Sequence, residues 1–465
     1  MEKHRERVTV LAAQVFDFYQ RSVAFKIYHG STNSTRTQVF KRSEMLDTSH
    51  LNHVLSIDPV RKVALVEPNV PMDALVRATL RYGLIPPVVM EFPGITVGGG
   101  VQGGAGESSS FRWGIFHSTC TMYEMICGDG QVVTCSPKKQ SDLFYGTPGS
   151  YGTLGVMTAV EIQLIPAKKY VELTYLPVRN FDEAVLTLEH ESKKPHDYID
   201  GIMFSPDSGV IMVGKLSDDK QTTATRFTRA RDEWFYLHAA RISADKATGT
   251  ESIPLVDYLF RYDRGAFWVG RYAFELLGVP FNALSRTMLN WMLHTRQLYQ
   301  ALQESGMSQH HIVQDLAIPL HTAAQFMRFV DKHYGIYPLW LCPLKTDTTS
   351  PFISSNLSTP LVINVGVWGE FIPSHKDFLS ANRALEREVT RLGGKKWFYA
   401  HAYYPKNEFW KIYPKKQYDL LRQKYKTVYQ PSVYDKVRVR QRFAIDTHRG
   451  VWRTVFRTAK LKIIP

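Results

Sequence analysis

The sequence predicts an α+β protein with two domains, and three observations lead to this prediction. The chain has 465 residues, which is more than a single hydrophobic core usually organises. Strand-like, turn and helix-like patterns alternate in a glycine-rich stretch that ends at about residue 168. Beyond it, glycine becomes sparser and longer helical periodicities appear, which indicates a second domain.

The first third contains the shorter predicted elements. Hydrophobic periodicity and the placement of Gly and Pro define their ends. In chain order they are an amphipathic helix over 5–20, a strand over 24–28, a turn of small polar residues over 29–36, a strand over 62–67, a helix over 73–82 and strand-like runs up to residue 166.

The rest of the chain contains the longer predicted elements. Apolar residues at helical spacing predict helices over 282–304 and 404–425. Strand-like runs occupy 209–213, 336–341 and 361–367.

Composition excludes several classes of protein. The four cysteines form no CxxC pair, so we expect no metal site, no disulfide framework and a reducing compartment. No uninterrupted apolar run reaches the roughly 18 residues of a membrane-spanning helix, and the N-terminus lacks the apolar core of a signal peptide. The formal net charge is +14, and residues 436–465 hold nine Lys or Arg against one acid, Asp446.

Glycines concentrate between residues 94 and 106. Residues 98–103 formally match GxGxxG, but no buried strand precedes them and no helix opens at the third glycine, so we reject a Rossmann turn. The chain has no Walker A sequence. Two loops of small residues remain, at 30–36 and 96–110, whose backbone amides either close on an anion such as a pyrophosphate or form plain turns.

Several unlinked motifs carry a family resemblance. Residues 58–70, a helix ending in Gly83 and the run Thr96-Val97-Gly98-Gly99-Gly100 resemble, in this order, the FAD-binding domain of the vanillyl-alcohol oxidase and p-cresol methylhydroxylase type. Within that superfamily the chain is most similar to the delta(24)-sterol reductases. The motifs that carry this similarity lie at 107–110, 141–145, 152–155, 165–171, 310–315, 337–343, 408–410 and 433–436.

The resemblance implies a domain plan and a cofactor site. It places a two-part FAD-binding domain at 1–168, a substrate or cap domain at 169–400, a segment that returns to the FAD domain at 401–435 and a basic tail at 436–465. The FAD is expected to bind without a covalent bond. The implied FAD-binding residues are Gly30, Ser31, Thr32, Asn33, Ser34, Thr96, Val97, Gly98, Gly99, Gly100, Gly103, Gly104, Glu107, Ser108, Ser109, Gly152, Thr153 and Gly155.

The resemblance implies NADPH-dependent reduction of a sterol side-chain double bond, with FAD passing on the hydride. A proton must accompany the hydride, and Asp315, Glu370 and Tyr403 are the candidate catalytic residues in the resembling segments. Two alternatives stay open. One is an oxidase of the same flavin fold that uses oxygen on an alcohol or another small substrate, and the other is a non-enzymatic basic binding protein.

Histidine and tryptophan residues in these segments also have structural interpretations. We expect His29, beside the first loop, to be a solvated residue rather than a covalent flavin tether. The adjacent His310 and His311 point to opposite faces of a strand and are not expected to chelate a metal. Among the tryptophans of the second domain, we expect each to fill the core; they are Trp268, Trp340, Trp368 and Trp410.

The sequence departs from the family pattern at three places. The animal and plant members carry an N-terminal membrane segment that is lacking here, the loop at 30–34 is closer to the generic flavoprotein loop, and the tail beyond Lys436 is an extension. In 449–463, apolar residues recur at helical spacing beside basic ones, which predicts an amphipathic helix.

The expected location of the protein in the cell depends on what the basic tail contacts. A helix of this kind lies in a lipid interface or docks on the protein itself, and we favour lipid contact through 449–465 because a sterol enzyme takes its substrate from membranes. Specific nucleic acid binding is not expected, since no recognition fold accompanies the charge. We therefore expect a protein that is peripheral on the cytosolic face of the endoplasmic reticulum membrane, or cytoplasmic, and not secreted.

Overall fold

The structure is a computed structural model that describes residues 1–30, 39–221, 223–246, 248–305, 311–355, 357–371, 375–439 and 462–464. Helices and antiparallel sheets share these residues, which confirms the predicted α+β class.

A five-stranded antiparallel sheet forms the centre of the first third. Its strand Val156–Gln163 is almost entirely buried and pairs on both edges, which explains its run of β-branched and apolar residues. In spatial order the strands are Val54–Asp58, Val63–Val66, Val156–Gln163, Cys120–Ile126 and Val132–Cys135.

An eight-stranded antiparallel sheet forms the centre of the second part. Side chains alternate between its two faces, so that Leu339 and Leu341 enter one hydrophobic cluster while Trp340 and Cys342 enter another. In spatial order the strands are Gly249–Pro254, Tyr170–Val178, Ser208–Ser217, Tyr198–Ser205, Leu339–Lys345, Leu361–Glu370, His311–Pro319 and Lys395–Lys396.

The two faces of this large sheet have different coverings. Helices Phe181–Ser192, Leu320–Tyr334 and His375–Arg391 contribute apolar side chains to the cluster on one face. The other face shares its cluster with the five-stranded sheet and the glycine-rich segment. The second face is therefore the one that meets the first third of the chain.

Short paired strands and the remaining helices complete the described chain. The short pairs are Lys26–Tyr28 with Met45–Asp47, Leu84–Ile85 with Ile165–Pro166, and Val39–Lys41 with Lys462–Ile464. The other α-helices are Glu2–Gln20, Met72–Leu80, Val97–Gly103, Ser110–Trp113, Ser141–Gly146, Phe235–Asp245, Leu255–Leu259, Arg271–Leu277, Ala283–Met288, Thr295–Ser305, Pro351–Ser354, Lys406–Ile412, Lys415–Lys424 and Val433–Val437, with 3-10 turns at Arg42–Glu44, Phe116–Thr119 and Asn290–Met292.

The prediction of one helix over 282–304 is wrong. The segment is divided into Ala283–Met288, a 3-10 turn and Thr295–Ser305. The carboxyl group of Asp263 lies 2.6 Å from His294 Nδ1 and 3.1 Å from the amide nitrogen of Thr295, so it fixes a new helix start at this point. A tertiary contact outweighs the helical periodicity here.

Other predicted elements are displaced by prolines or by strand pairing. The helix over 404–425 is divided before Pro414, and the strand predicted at 336–341 begins only at Leu339, after Pro338. The helix predicted over 449–463 does not reach its last residues, because Lys462–Ile464 is a strand parallel to Val39–Lys41. The rest of that predicted helix lies outside the described residues.

The segment after residue 400 packs on the first third of the chain. The Tyr413 hydroxyl donates to the backbone oxygen of Gly149 at 2.9 Å, and the Tyr418 hydroxyl lies 2.6 Å from Thr153 Oγ1. Both contacts are buried. The return of residues 401–435 to the FAD domain and the division of the chain at 168, 400 and 435 stay our proposal.

Candidate functional site

A cavity of about 420 Å³ lies between the glycine-rich segment and the large sheet. One part of its wall contains the backbone of glycine loops, and the other part consists of aromatic and aliphatic side chains, mostly from the second half of the chain. The two parts are continuous. The glycine-lined part and the part lined by the second half of the chain therefore belong to one space.

The glycine part is organised by Thr96, which begins helix Val97–Gly103. Its hydroxyl accepts a hydrogen bond from the Gly99 amide at 3.2 Å. A Cβ atom on Gly98 would lie 2.7 Å from the Pro68 side chain. Gly99 is exposed and lines the cavity, as do Gly103 and Gly104. Because these residues are glycines, their backbone faces the cavity without side chains of its own in between.

A second loop joins the first through Gln102. The Gln102 side-chain oxygen accepts hydrogen bonds from the Ser150 hydroxyl and the Gly152 amide, both at 2.9 Å. Gly152 has a φ of +73° and Gly155 one of +136°, conformations that a larger residue rarely adopts. Both glycines line the cavity, so the two loops form one surface.

Two side chains add polar character to this part of the cavity. Lys436 lines the wall, and its Nζ donates to the backbone oxygen of Tyr151. His29 also lines it, and its buried Nδ1 atom has no hydrogen-bond partner among the residues that the structure describes, which do not include 31–38. Burial, together with the positive charge of Lys436, lowers the pKa of His29 to about 4. The expectation of a solvated His29 is wrong, since the ring faces the cavity.

These residues fit a dinucleotide cofactor such as FAD. The glycine backbone carries no side chains that would block close approach of a diphosphate, and Lys436 supplies a positive charge. The His29 Nδ1 atom, which has no partner among the described residues, can form a hydrogen bond with a polar group of a ligand. Among the described residues, no group of three or more His, Cys, Asp or Glu side chains is placed to hold a metal ion.

The structure does not bring every implied FAD-binding residue to the cavity wall. Glu107, Ser108 and Ser109 are buried behind it, where the Glu107 carboxyl accepts hydrogen bonds from both serine hydroxyls and from the Ser109 amide. The Thr153 hydroxyl accepts a hydrogen bond from the Tyr418 hydroxyl. Val97 and Gly100 are packed in the core, and a Cβ atom on Gly100 would meet Met90.

The first predicted FAD loop is described only at its beginning. Gly30 has a φ of +82°, whereas the next four residues, Ser31, Thr32, Asn33 and Ser34, lie outside the described residues.

The aromatic part of the cavity is built on the second face of the large sheet. Trp340 and Trp368 line it and lie with ring centroids 5.8 Å apart, and Phe267 contacts both. These two tryptophans are buried in the core, as expected, and they line the cavity as well. Trp268 does remain in the core, donating from its ring nitrogen to the Trp368 backbone oxygen at 2.9 Å.

Asp315 is the predicted catalytic residue that the structure places in the cavity. Its carboxyl accepts hydrogen bonds from the Tyr399 hydroxyl and from the Asn364 side-chain amide, each at 2.7 Å. The Asn364 oxygen in turn accepts from the Trp397 ring nitrogen at 2.8 Å. Burial raises the pKa of Asp315 to about 6. This carboxyl can therefore hold a proton near neutral pH.

Glu370 and Tyr403 are not brought together with Asp315. Glu370 is exposed at the end of its strand, where its amide contacts the Tyr272 hydroxyl. Tyr403 belongs to the cluster on the opposite face of the sheet, and its amide donates to Glu386 at 2.7 Å. Sequence reasoning missed Tyr399, although this phenol is only four residues before the chosen tyrosine.

The fold and the cavity define a class of protein. A family profile described as an FAD binding domain matches residues 10–136. Cytokinin dehydrogenase 9 of Oryza sativa subsp. japonica is 35% identical over 137 residues, which cover 29% of this chain and 26% of that protein. The glycine-lined, cationic part of the cavity is thus found in a flavoprotein.

Similarity over the whole chain identifies the family. The delta(24)-sterol reductase of Homo sapiens is 32% identical over 451 residues, which cover 93% of this chain and 86% of the human protein. That of Arabidopsis thaliana is 31% identical over 322 residues, or 64% of this chain and 56% of the plant protein. The chain belongs to the delta(24)-sterol reductase family, as the motifs predict. Among its described residues, no helix has the length and apolar character needed to span a bilayer.

Proposed function

We propose that this protein is an FAD-dependent oxidoreductase that reduces the delta(24) side-chain double bond of a sterol with NADPH. Membership of the delta(24)-sterol reductase family supports the reaction. The observation that carries the proposal is the continuity of the glycine part and the aromatic part in one cavity. Cofactor and apolar substrate can then meet without water between them.

The residues that would hold FAD are those that line the glycine part. We assign the diphosphate to the backbone around Gly98, Gly99 and Gly152, with Lys436 as its nearest positive charge. His29 would make a hydrogen bond through its unpartnered ring nitrogen. Because burial keeps this ring neutral, it adds no charge to the site.

Bound FAD supplies the hydride that the double bond receives. An isolated alkene accepts hydride poorly, so a proton must reach the less substituted carbon as the tertiary carbon receives the hydride. We assign proton donation to the carboxyl group of Asp315, which can be protonated because it is buried. Tyr399 and Asn364 hold this carboxyl in place by hydrogen bonds. The product gains one hydride and one proton.

The aromatic walls bind and orient the rest of the substrate. Phe267, Trp340 and Trp368 present flat apolar surfaces that match the faces of a fused-ring lipid. We also propose peripheral contact with the cytosolic face of the endoplasmic reticulum membrane, through the basic tail at 449–465. The excess of basic residues in the tail supports this contact.

Anaerobic reduction by NADPH tests the function. The purified holoenzyme is mixed with NADPH, and bleaching of the flavin absorbance near 450 nm is expected. Addition of a delta(24)-unsaturated sterol should then restore the oxidised spectrum and yield the saturated side chain. Bleaching only by an alcohol, with peroxide formed in air, would instead identify an oxidase. Protein that purifies without flavin would favour a binding protein.

A further inference from the structure

Glu91 is a buried acid in the cavity wall that the reaction described above does not use. Its side chain is 6% exposed, and it lines the cavity beside Phe92. Its Oε1 atom has no hydrogen-bond partner in the described part of the chain. Most buried polar groups have such a partner, and one without it is costly. An unpartnered carboxyl oxygen in a cavity wall therefore calls for a ligand group.

The surroundings of Glu91 favour its neutral form. Burial raises the pKa of Glu91 well above its ordinary value and the nearby Glu107 carboxyl raises it further, while the charge of Arg261 acts in the opposite direction. Glu107 differs from Glu91 in its contacts, because it accepts three hydrogen bonds from Ser108 and Ser109. A protonated Glu91 can both donate a hydrogen bond and accept one.

The position of Glu91 associates it with the aromatic part of the cavity. The adjacent Phe92 ring lies 5.5 Å from Phe267 and 5.9 Å from Tyr299, centroid to centroid. Tyr299 and Asp315 line the same cavity as Glu91. Of the two carboxyl groups that line the cavity among the described residues, only that of Glu91 has a buried oxygen without a hydrogen-bond partner in this part of the chain, whereas that of Asp315 accepts from Tyr399 and Asn364.

We propose that Glu91 forms a subsite for a neutral hydroxyl group of the apolar substrate, which for a sterol is its 3-hydroxyl. The proposal rests on the proposed function for the identity of the ligand. A neutral acid pairs well with an alcohol, which offers one donor and two acceptor sites. The same subsite disfavours an anionic ester of that alcohol, since the Glu107 carboxyl lies nearby and the positive Arg261 is already paired with Asp200.

Equilibrium binding tests the subsite without depending on turnover. A saturated sterol and its 3-O-methyl ether are delivered from cyclodextrin to the holoenzyme, and quenching of cavity tryptophan fluorescence is followed. Wild-type protein should bind the free sterol at least about tenfold more tightly. Glu91→Leu should reduce this preference to about twofold or less, whereas Glu91→Gln, which keeps a hydrogen-bonding group, should retain part of it.

Matched controls separate hydrogen bonding from a change in cavity shape. Leu298→Ala alters another residue of the wall and should weaken both ligands while leaving their ratio as in the wild type. Equal preference in wild type and Glu91→Leu, or no preference in the wild type, overturns the proposal. Loss of FAD from Glu91→Leu also overturns it, because the acid would then hold the cofactor. A preserved sterol preference without any sterol reduction would contradict the proposed reaction alone.

Discussion

The carboxyl group of Asp315 accepts a 2.7 Å hydrogen bond from the Tyr399 hydroxyl at the wall of a largely apolar cavity. Burial of this carboxyl outweighs the opposing effect of the hydrogen bonds from Tyr399 and Asn364, so that its pKa is raised to about 6. The pair therefore combines a proton that is available near neutral pH with a fixed direction of transfer.

Asp315→Asn should abolish sterol reduction without loss of the cofactor. Removing a positioned proton donor typically lowers kcat by about 10²- to 10⁴-fold. Bleaching of the flavin by NADPH should persist, because that step does not use the donor. Stopped-flow measurement of the two half-reactions checks this. A variant that loses both steps equally, or retains normal sterol turnover, would show that Asp315 is not the donor.

Tyr399→Phe should move the pH profile of kcat. A donor acts only when protonated, so kcat of the wild type should fall as the pH rises above about 6. Since the Tyr399 hydroxyl stabilises the ionised carboxylate, its removal raises the pKa of Asp315, and the falling limb should shift to higher pH. An unchanged limb, with kcat merely lower at all pH values, would indicate a structural role.

Gly99→Val should yield colourless protein. A Cβ atom at this position would lie 3.0 Å from Thr96 Oγ1 and would project from backbone that lines the cavity. Absorbance near 450 nm per mole of chain measures flavin content. Gly249→Val is the matched control, because nothing lies within 4 Å of a Cβ atom there. Full flavin content in Gly99→Val would remove this loop from the FAD site.

Acid precipitation should release the yellow cofactor into the supernatant. The His29 ring lines the cavity, but we assign to it a hydrogen bond rather than a covalent bond. Absorbance spectra of the pellet and the supernatant give the partition. His29→Ala should weaken flavin binding by about tenfold, the effect of one lost hydrogen bond of ordinary strength. A pellet that stays yellow in wild type but not in His29→Ala would establish a covalent bond.

Sequence patterns predicted the parts of this site that depend on backbone. Gly98, Gly99 and Gly152, which line the cavity, were named from the sequence because close approach of backbone to a ligand would require glycine there; their contact with FAD stays our proposal. The motif in the sequence indicated Asp315 as a candidate, but it could not rank Asp315 above Glu370. Which of the two carboxyl groups is buried depends on which end of the sheet is covered. That distinction needs the tertiary structure.

Residues that depend on distant partners were missed for the same reason. Lys436 reaches the glycine loops only because the helices after residue 400 pack on the first third of the chain. Glu91 stands out only once the described residues around it are known to leave its Oε1 atom without a hydrogen-bond partner. Likewise, the contacts of Asp263 with His294 and Thr295, which divide a regular helical pattern, leave no local signal.

The free energy of unfolding should fall as the pH rises from 6.5 to about 9, because His4 loses its proton in this range. This buried ring lies 2.8 Å from Glu67 and 3.0 Å from Glu124, and these side-chain hydrogen bonds, that to Glu124 first, raise its pKa from 6.5 to about 9. A raised pKa stabilises the folded state fully below pH 6.5, and the contribution is lost as the pH rises to about 9.

Denaturant unfolding at several pH values measures the contribution of His4. His4→Gln should lower the free energy of unfolding by about 2 to 3 kcal/mol at pH 6 and by much less at pH 9. The exposed His190 on helix Phe181–Ser192 provides the control, and His190→Gln should leave the pH dependence as in the wild type. Parallel curves for wild type and His4→Gln would contradict the assignment.

The basic tail should carry the protein to anionic membranes. Residues 440–465 contain seven Lys or Arg and one acid, and each basic residue contributes about 1 kcal/mol near an anionic leaflet. Co-sedimentation with anionic vesicles should therefore be strong at low salt, weaker at high salt and lost in a chain that ends at Val439. That truncation keeps Lys436 at the cavity and removes strand Lys462–Ile464.

A charge variant separates lipid binding from the loss of that strand. Changing Arg449, Arg453, Arg457 and Lys460 to Gln keeps the chain length and the pairing of Lys462–Ile464 with Val39–Lys41. This variant should lose most binding to anionic vesicles while its flavin content and its circular dichroism match the wild type. Vesicle binding that is equal in all three proteins, or absent from the wild type, would mean that the tail docks on the protein rather than on lipid.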